Sequence, residues 1–111
     1  MEISTKDLKR VTVVAPVGRI DHQTAPELQK TLDDLINGGH FKLVLDMSGV
    51  TYISSAGLRV LLAARKAVKR WNRGDLRLSG LQPYVKDTID LVGFTRIFNI
   101  YDDSVEAVGS F

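Results

Sequence analysis

The sequence predicts an α/β fold with a mostly parallel sheet of four to five strands, an N-terminal hairpin and three to four helices. Apolar runs alternate with segments of helical periodicity along the chain, which is typical of α/β domains. The run Leu43, Val44 and Leu45 has no polar alternation, as expected for a parallel strand buried on both faces. We expect residues 1–111 to form one domain, because 111 residues are enough for one compact domain and too few for two.

Composition and charge exclude several classes of protein. A hydrophobic share of 44% and a charged share of 25% are ordinary for a globular protein, and the absence of cysteine excludes disulfides and thiol chemistry. A net charge of +2 argues little for nucleic acid as a partner. The polar N-terminus lacks the apolar run of a signal peptide, and no apolar stretch approaches the roughly 20 residues that span a bilayer. We therefore expect a cytoplasmic protein without membrane insertion.

Two N-terminal strands are predicted to form a hairpin. Residues 11–17 are rich in β-branched side chains, and a weaker strand around residues 3–7 precedes them. Pro16 cannot donate a backbone hydrogen bond, so we expect it at the end of its strand or at a bulge. Residues 18–23 are then predicted to be a loop.

The first helix has sequence signals at both ends. Thr24 and Glu27 have the spacing of a capping box, with Thr24 as the N-cap. Pro26 is tolerated in a first helical turn, where its missing N–H would be unpaired anyway. The Asn-Gly-Gly segment at residues 37–39 is predicted to end the helix.

Helices and strands are predicted to alternate in the rest of the chain. Asp46 marks the carboxyl end of a strand over residues 41–47, and a loop over residues 48–53 follows. A second helix is predicted to begin near Ser54 or Ser55 and to end at residues 72–74. The later elements are a strand over residues 75–79, a helix over 82–92 stopped by Gly93, a strand over 98–101 and a helical turn over 104–108.

The loops over residues 18–23 and 48–55 follow two strands of the predicted sheet. In parallel sheets with right-handed crossovers, functional loops gather at the carboxyl end of the strands. We therefore expect these two loops to be neighbours.

The start of the second helix carries the most informative residues. A serine hydroxyl there accepts a hydrogen bond from an orphan backbone N–H, so a pure capping role is one interpretation of Ser54 or Ser55. A pair of serines, however, supplies one hydroxyl for the cap and another that stays free. Ala56 and Gly57 follow in the first turn, where glycine costs about 1 kcal/mol relative to alanine. This cost suggests that a partner or reagent must approach closely.

Three motifs together resemble one family. The segment over residues 43–61, LVLDMSGVTYISSAGLRVL, resembles the signature of bacterial anti-sigma factor antagonists and their STAS relatives. Upstream, Gly18-Arg19-Ile20-Asp21 is similar to the family's Gly-x-hydrophobic-Asp turn. Downstream, the similarity lies in the spacing of Val85, Ile89, Gly93, Phe94, Phe98, Ile100 and Tyr101. The resemblance covers roughly residues 11–101.

The resemblance implies a regulatory binding protein that is not an enzyme. In the family, the partner anti-sigma factor is a serine kinase that phosphorylates a serine directly before a small–Gly–Leu triplet. The matching residue here is Ser55. Many members carry aspartate immediately before the phosphorylated serine, whereas this chain has Ser54, which is therefore a second choice of acceptor. The unphosphorylated form would bind the anti-sigma factor and release its sigma factor, and phosphorylation would abolish binding. The resemblance also implies that Asp21 lies beside Ser55. It leaves open whether a phosphatase resets that residue.

We expect the partner to bind the two neighbouring loops. A phosphate added there, close to Asp21 and beneath a docked partner, would be repelled and would lose its hydration. The residues expected to form this surface are Ile20, Asp21, His22, Thr24, Ile53, Ser54, Ser55, Ala56, Gly57 and Leu58.

Other functions have weaker support in the sequence. His22 and His40 are the only histidines and match no metal-ligand spacing, and no nucleophile elbow or phosphate-binding loop is present, so no catalytic residue, cofactor or metal is predicted. An enzyme is accordingly the third interpretation. The second is a non-catalytic STAS subunit of a larger assembly, such as a membrane lipid-transport complex. A basic run on the second helix is interpreted as a solvated face or as a patch for an acidic partner: Arg59, Arg65, Lys66, Lys69, Arg70 and Arg73.

Overall fold

A computed structural model describes residues 1–71 and 73–111 of the chain. Six strands and four α-helices occur within these residues. In chain order they are β1 (Glu2–Leu8), β2 (Val11–Ile20), α1 (Ala25–Asn37), β3 (Lys42–Asp46), β4 (Val50–Ile53), α2 (Ser55–Lys69), β5 (Asp75–Ser79), α3 (Pro83–Leu91), β6 (Ile100–Tyr101) and α4 (Ser104–Gly109), with a 3₁₀ turn at Phe94–Arg96 between α3 and β6.

The strands form one mixed sheet in the order β1-β2-β3-β5-β6, and β4 pairs with β2 beyond the end of β3. Only the β1–β2 pair is antiparallel among the pairs described; the others are parallel. The predicted fold class and N-terminal hairpin are confirmed. The sheet has more strands than the four to five predicted, because residues 50–53, predicted to lie in a loop, form β4.

Strand β2 is longer than predicted because it changes partners along its length. It pairs with β3 from Thr12 to Val14 and with β4 from Gly18 to Ile20. Pro16 lies between these two pairings. The Gly18 N–H donates to the carbonyl of Gly49, directly before β4, at 2.9 Å. Because backbone N–H groups two residues apart in a strand point the same way, the Pro16 nitrogen faces this same edge of β2. The prediction that the strand ends or bulges at Pro16 is wrong: β2 still pairs with β1 there, and its register shift lies further on, between Gly18 and Arg19. The missing N–H of Pro16 faces the other edge of β2, in the gap between β3 and β4.

The core lies mainly between one face of the sheet and α1, α2 and α3. Strand β3 is buried on both faces, as predicted: Leu43 and Leu45 join this core, while Val44 joins a smaller cluster with Val11 and with Ala107 of α4. The side chains that α1, α2 and α3 contribute to the main core include Leu28, Leu32, Leu61, Val68, Val85 and Ile89.

The helix ends agree only in part with the predictions. Helix α1 ends at Asn37, as predicted, and Gly93 follows α3 with φ +80°, in the left-handed region that favours glycine. Helix α2 ends at Lys69, before the predicted stop at residues 72–74, of which Asn72 lies outside the described residues. Of the helices in the described ranges, none has both the length and the apolar character needed to cross a membrane.

Candidate functional site

The two loops predicted to be neighbours are joined by backbone hydrogen bonds. The Ser54 N–H donates to the carbonyl of Ile20 at 2.8 Å, and Ile20 stands opposite Ile53 in the β2–β4 pair. The turn that follows β2 and the first turn of α2 therefore form one continuous surface at the carboxyl end of these strands.

The two serines at the start of α2 occupy different environments. Ser54 is the N-cap, with extended backbone, and its Oγ accepts a hydrogen bond from the Gly57 N–H at 3.3 Å. Ser55 is the first residue of the helix and is exposed, and its Oγ has no hydrogen-bond partner within the described chain. One hydroxyl thus caps the helix while the other remains available to a reagent.

Close packing against α2 requires a glycine at position 57. A Cβ atom at this position would lie 2.6 Å from Ile20 Cγ2 and 2.8 Å from Ile53 Cγ1. Both isoleucines are almost fully buried. The close approach inferred from the sequence is therefore made by two core side chains from the paired strands, and not by a partner or reagent.

The turn before α1 is organised by Asp21. Its Oδ1 accepts hydrogen bonds from the backbone N–H groups of Gln23, at 3.0 Å, and Thr24, at 3.1 Å. The Thr24 hydroxyl donates to the carbonyl of Arg19 at 2.7 Å and accepts from the Asp21 N–H at 2.9 Å. Thr24 is the N-cap residue, but its side chain caps no helical N–H, so the predicted capping box is wrong.

These hydrogen bonds also fix the charge of Asp21. The bond from the Thr24 backbone N–H is the largest influence that lowers the pKa of Asp21 below its ordinary value; desolvation opposes it, and the Gln23 N–H adds to the lowering. Hydrogen bonds to a carboxylate favour its charged form. At neutral pH the Asp21 side chain is therefore a fixed negative charge on this surface, with Arg19 Nε 4.0 Å from its Oδ2.

The residues expected to bind the partner separate into two layers. Ser55 and His22 are exposed, and Asp21, Thr24, Ser54 and Ala56 are partly exposed. The other four are buried and support the loops from below: Ile20, Ile53, Gly57 and Leu58. Partner contact by the ten residues stays a prediction.

An aromatic group that the sequence did not indicate lies beside the site. The Arg19 guanidinium lies 4.2 Å from the centroid of the Tyr52 ring, which stacks on Tyr84 of α3 at 6.2 Å. Tyr84 is 61% exposed, so the group extends the available surface away from Ser55. Tyr84 lies 32 positions from Tyr52 along the chain, and only the packing of α3 against β4 brings them together.

A shallow groove of about 320 Å³ lies between the N-terminal parts of α1 and α2. Sequence spacing alone does not reveal such a groove. His22, from the turn before α1, and Arg59 of α2 both line it. The residues that line it are His22, Ala25, Pro26, Gln29, Ala56, Arg59, Val60 and Ala63. Ala56, which follows the exposed Ser55, belongs to this lining.

The remaining polar candidates have structural surroundings. Asp46 Oδ1 accepts from the Ser48 N–H at 3.0 Å, so it orients the loop before β4. His40 lies beside the hairpin, where its Nδ1 is 3.0 Å from Thr12 Oγ1 and 3.7 Å from Asp7 Oδ1. Within residues 1–71 and 73–111, no three His, Asp or Glu side chains are grouped so that they could hold a metal ion.

The fold as a whole is that of a known domain family. The model of the STAS domain family matches residues 2–107, and the chain therefore belongs to the STAS domain family.

Several relatives of similar overall length are named anti-sigma factor antagonists. BtrV of Bordetella bronchiseptica, assigned as an anti-sigma factor antagonist, is 29% identical over 111 residues, covering 100% of this chain and 95% of BtrV. The anti-sigma F factor antagonist of Paenibacillus polymyxa is 26% identical and covers 97% and 92% of the two chains. The crystal structure of an anti-sigma factor antagonist from Mycobacterium paratuberculosis superimposes with a TM-score of 0.86 at 25% identity, covering 98% and 92%.

Proposed function

We propose that this chain is an anti-sigma factor antagonist that acts in the cytoplasm as a binding protein and not as an enzyme. Its unphosphorylated form binds an anti-sigma factor with serine kinase activity and so releases a sigma factor. Phosphorylation of Ser55 by that kinase abolishes binding. The observation that carries the proposal is the exposed Ser55 hydroxyl at the start of α2, beside a neighbouring serine that already caps the helix.

The surroundings favour Ser55 over Ser54 as the phosphate acceptor. The Ser54 hydroxyl is bound to the Gly57 N–H and is partly buried, so a kinase would have to break the cap to reach it. Loss of an N-cap typically costs about 1 kcal/mol. Phosphorylation of Ser55 leaves this hydrogen bond intact.

A phosphate on Ser55 is compatible with the fold. It adds about −1.5 to −2 charges at neutral pH. A negative charge at a helix N-terminus is stabilised by roughly 0.3–1 kcal/mol through the helix dipole. The domain should therefore remain folded after phosphorylation.

The same phosphate would oppose a docked partner. The ionised Asp21 belongs to the same surface, and its charge adds to that of the phosphate where the partner must dock. Like charges placed together at an interface cost several kcal/mol, and each 1.4 kcal/mol is about a tenfold change in affinity. One phosphate can thus dissociate the complex without unfolding the domain.

The proposal is tested first by identifying the partner. The tagged chain is used to capture proteins from the source bacterium, and the phosphorylation site is mapped in the bound and unbound pools. We expect a serine kinase that also binds a sigma factor in the bound pool, and phosphate on Ser55 only in the unbound pool. Capture of membrane transporter subunits without such a kinase would instead support the role in a larger assembly.

The switch is tested with the purified kinase. Ser55→Ala should bind it with wild-type affinity and resist phosphorylation, while Ser55→Asp should bind at least about tenfold more weakly, as expected for a loss of 1.4 kcal/mol. Ser54→Ala is the matched control and should still be phosphorylated at Ser55. Circular dichroism should be unchanged in all three. Wild-type affinity of Ser55→Asp together with efficient phosphorylation of Ser55→Ala would refute the switch.

A further inference from the structure

A second concave surface lies at the opposite end of the sheet from Ser55. It is a cavity of about 420 Å³ at the amino ends of β3 and β5, whose first residues, Lys42 and Asp75, stand side by side in the parallel pair. The residues that line it are Arg10, Lys42, Lys69, Arg73, Gly74, Asp75, Arg77 and Phe111. Five of these eight side chains are cationic and one is anionic.

The single acidic side chain of the cavity is already paired. Asp75 is buried, and its Oδ2 accepts from Arg77 Nε at 3.0 Å while its Oδ1 lies 3.8 Å from Arg65 Nε. The other four cations have no acidic group within 4.0 Å in the described ranges of the chain: Arg10, Lys42, Lys69 and Arg73. The cavity therefore concentrates positive charge that this chain does not neutralise.

One of the cationic positions lies in a tight turn. Arg73 has φ +63°. Such conformations ordinarily favour glycine or asparagine, and they are disfavoured for other residues. The turn before β5 thus places a cation at this edge although its backbone conformation is unfavourable for arginine.

The geometry points to a binding site for a small, multiply charged phosphate anion, such as diphosphate or a phosphate ester. Guanidinium and ammonium groups that converge on one volume match the oxygens of phosphate through charge-assisted hydrogen bonds. The volume lies in the lower part of the range typical of small-molecule pockets, roughly 300–1,000 Å³. Arg77 is fixed in the wall of the cavity, because its guanidinium donates to Ser110 Oγ at 2.7 Å and lies 4.0 Å from the centroid of the Phe111 ring.

The test is titration of the intact chain with sodium diphosphate at near-physiological ionic strength, followed by calorimetry and by amide NMR shifts. The wild type should bind at one site, with shifts centred on Lys42, Lys69 and Arg73. The double variant Lys69→Gln/Arg73→Gln should bind at least about tenfold more weakly, since each lost charge-assisted contact is a large part of the binding energy. Both side chains are exposed, so melting temperature should show that the variant is folded.

A charge-matched control separates a site from general attraction. Lys30→Gln/Lys86→Gln removes the same charge from α1 and α3, away from the cavity, and should keep wild-type affinity. Equal weakening in both double variants, or no binding by the wild type, would overturn the proposal. Binding to phosphatidylglycerol vesicles without binding of diphosphate would also overturn it, and would identify a lipid surface as the source of the phosphate.

This inference does not depend on the phosphorylation switch. Ser55→Ala should bind diphosphate like the wild type, because Ser55 lies at the carboxyl end of the strands and the cavity at their amino ends. A failed kinase assay would therefore leave the diphosphate result standing, and a failed diphosphate titration would leave the switch standing.

Discussion

Two adjacent serines at the start of α2 show how neighbouring residues of one type take different roles. The Ser54 hydroxyl satisfies the Gly57 N–H, which is one of the donors that every helix start leaves unpaired. The Ser55 side chain projects from the first helical position into solvent. Ser54 thus stabilises the start of the helix, while Ser55 offers a free hydroxyl.

This division predicts that the two serines respond differently to alanine. Ser54→Ala should lower the free energy of unfolding by about 1 kcal/mol, the usual cost of a lost N-cap, and the melting temperature by roughly 4 °C or more. Ser55→Ala, the matched control, should change it by less than about 0.5 kcal/mol. Thermal unfolding followed by circular dichroism measures both. An equal or larger loss for Ser55→Ala would show that the cap has been assigned to the wrong hydroxyl.

Local sequence patterns predicted the start of α2 better than the start of α1. The serine pair indicated one capping and one free hydroxyl, although not which was which. At α1, Thr24 and Glu27 fit a capping box, but the Asp21 carboxylate takes the Thr24 N–H and the Thr24 hydroxyl turns back to Arg19. A four-residue pattern cannot reveal a competing acceptor three residues upstream.

Among the elements, β4 and the first turn of α2 depend on each other. Residues 50–53 were predicted to lie in a loop, and they become a strand by pairing with the end of β2. That pairing brings Ile20 and Ile53 together under Gly57. Such a strand is specified by a partner about 30 residues away, which local periodicity does not record.

The packing under α2 predicts the effect of Gly57→Ala. Alanine would favour the helix by about 1 kcal/mol in isolation. Its Cβ, however, would meet two buried, β-branched side chains at 2.6 and 2.8 Å, and overpacking typically costs about 1–3 kcal/mol. We expect net destabilisation, measured by urea unfolding.

Gly109→Ala is the control for helix propensity alone. Gly109 is the last residue of α4, and a Cβ there would meet nothing within 4 Å. This variant should be as stable as the wild type or more stable. A Gly57→Ala variant that also gained stability would contradict the packing argument, because it would mean that the isoleucines move aside at little cost.

The molecule as a whole places different chemistry at the two ends of one sheet. The order of elements, read with the handedness of crossovers, was enough to place the loops over residues 18–23 and 48–55 together. The cationic cavity could not be predicted in this way. Arg10, Lys42 and Lys69 are separated by about 30 residues each along the chain, and they meet only because the turn after β1, the start of β3 and the end of α2 reach the same edge.

Asp75 connects three elements at that edge, and its removal should destabilise the whole fold. Its carboxylate contacts Arg65 of α2 and Arg77 of β5, and Arg77 in turn donates to Ser110 after α4. The side chain of Asp75 is only 6% exposed, that of Arg65 25% and that of Arg77 18%. Asp75→Asn would leave two largely buried guanidinium groups without a counter-charge.

Breaking a buried ion pair from one side typically costs about 3 kcal/mol or more. The midpoint of urea unfolding should therefore fall strongly in Asp75→Asn. Asp34→Asn is the matched control, because Asp34 pairs with Lys30 at 2.9 Å on the exposed face of α1, where solvent screens the pair. Its midpoint should stay close to the wild type. Similar midpoints for the two variants would mean that water already reaches Asp75, and that the three elements are held together by apolar packing alone.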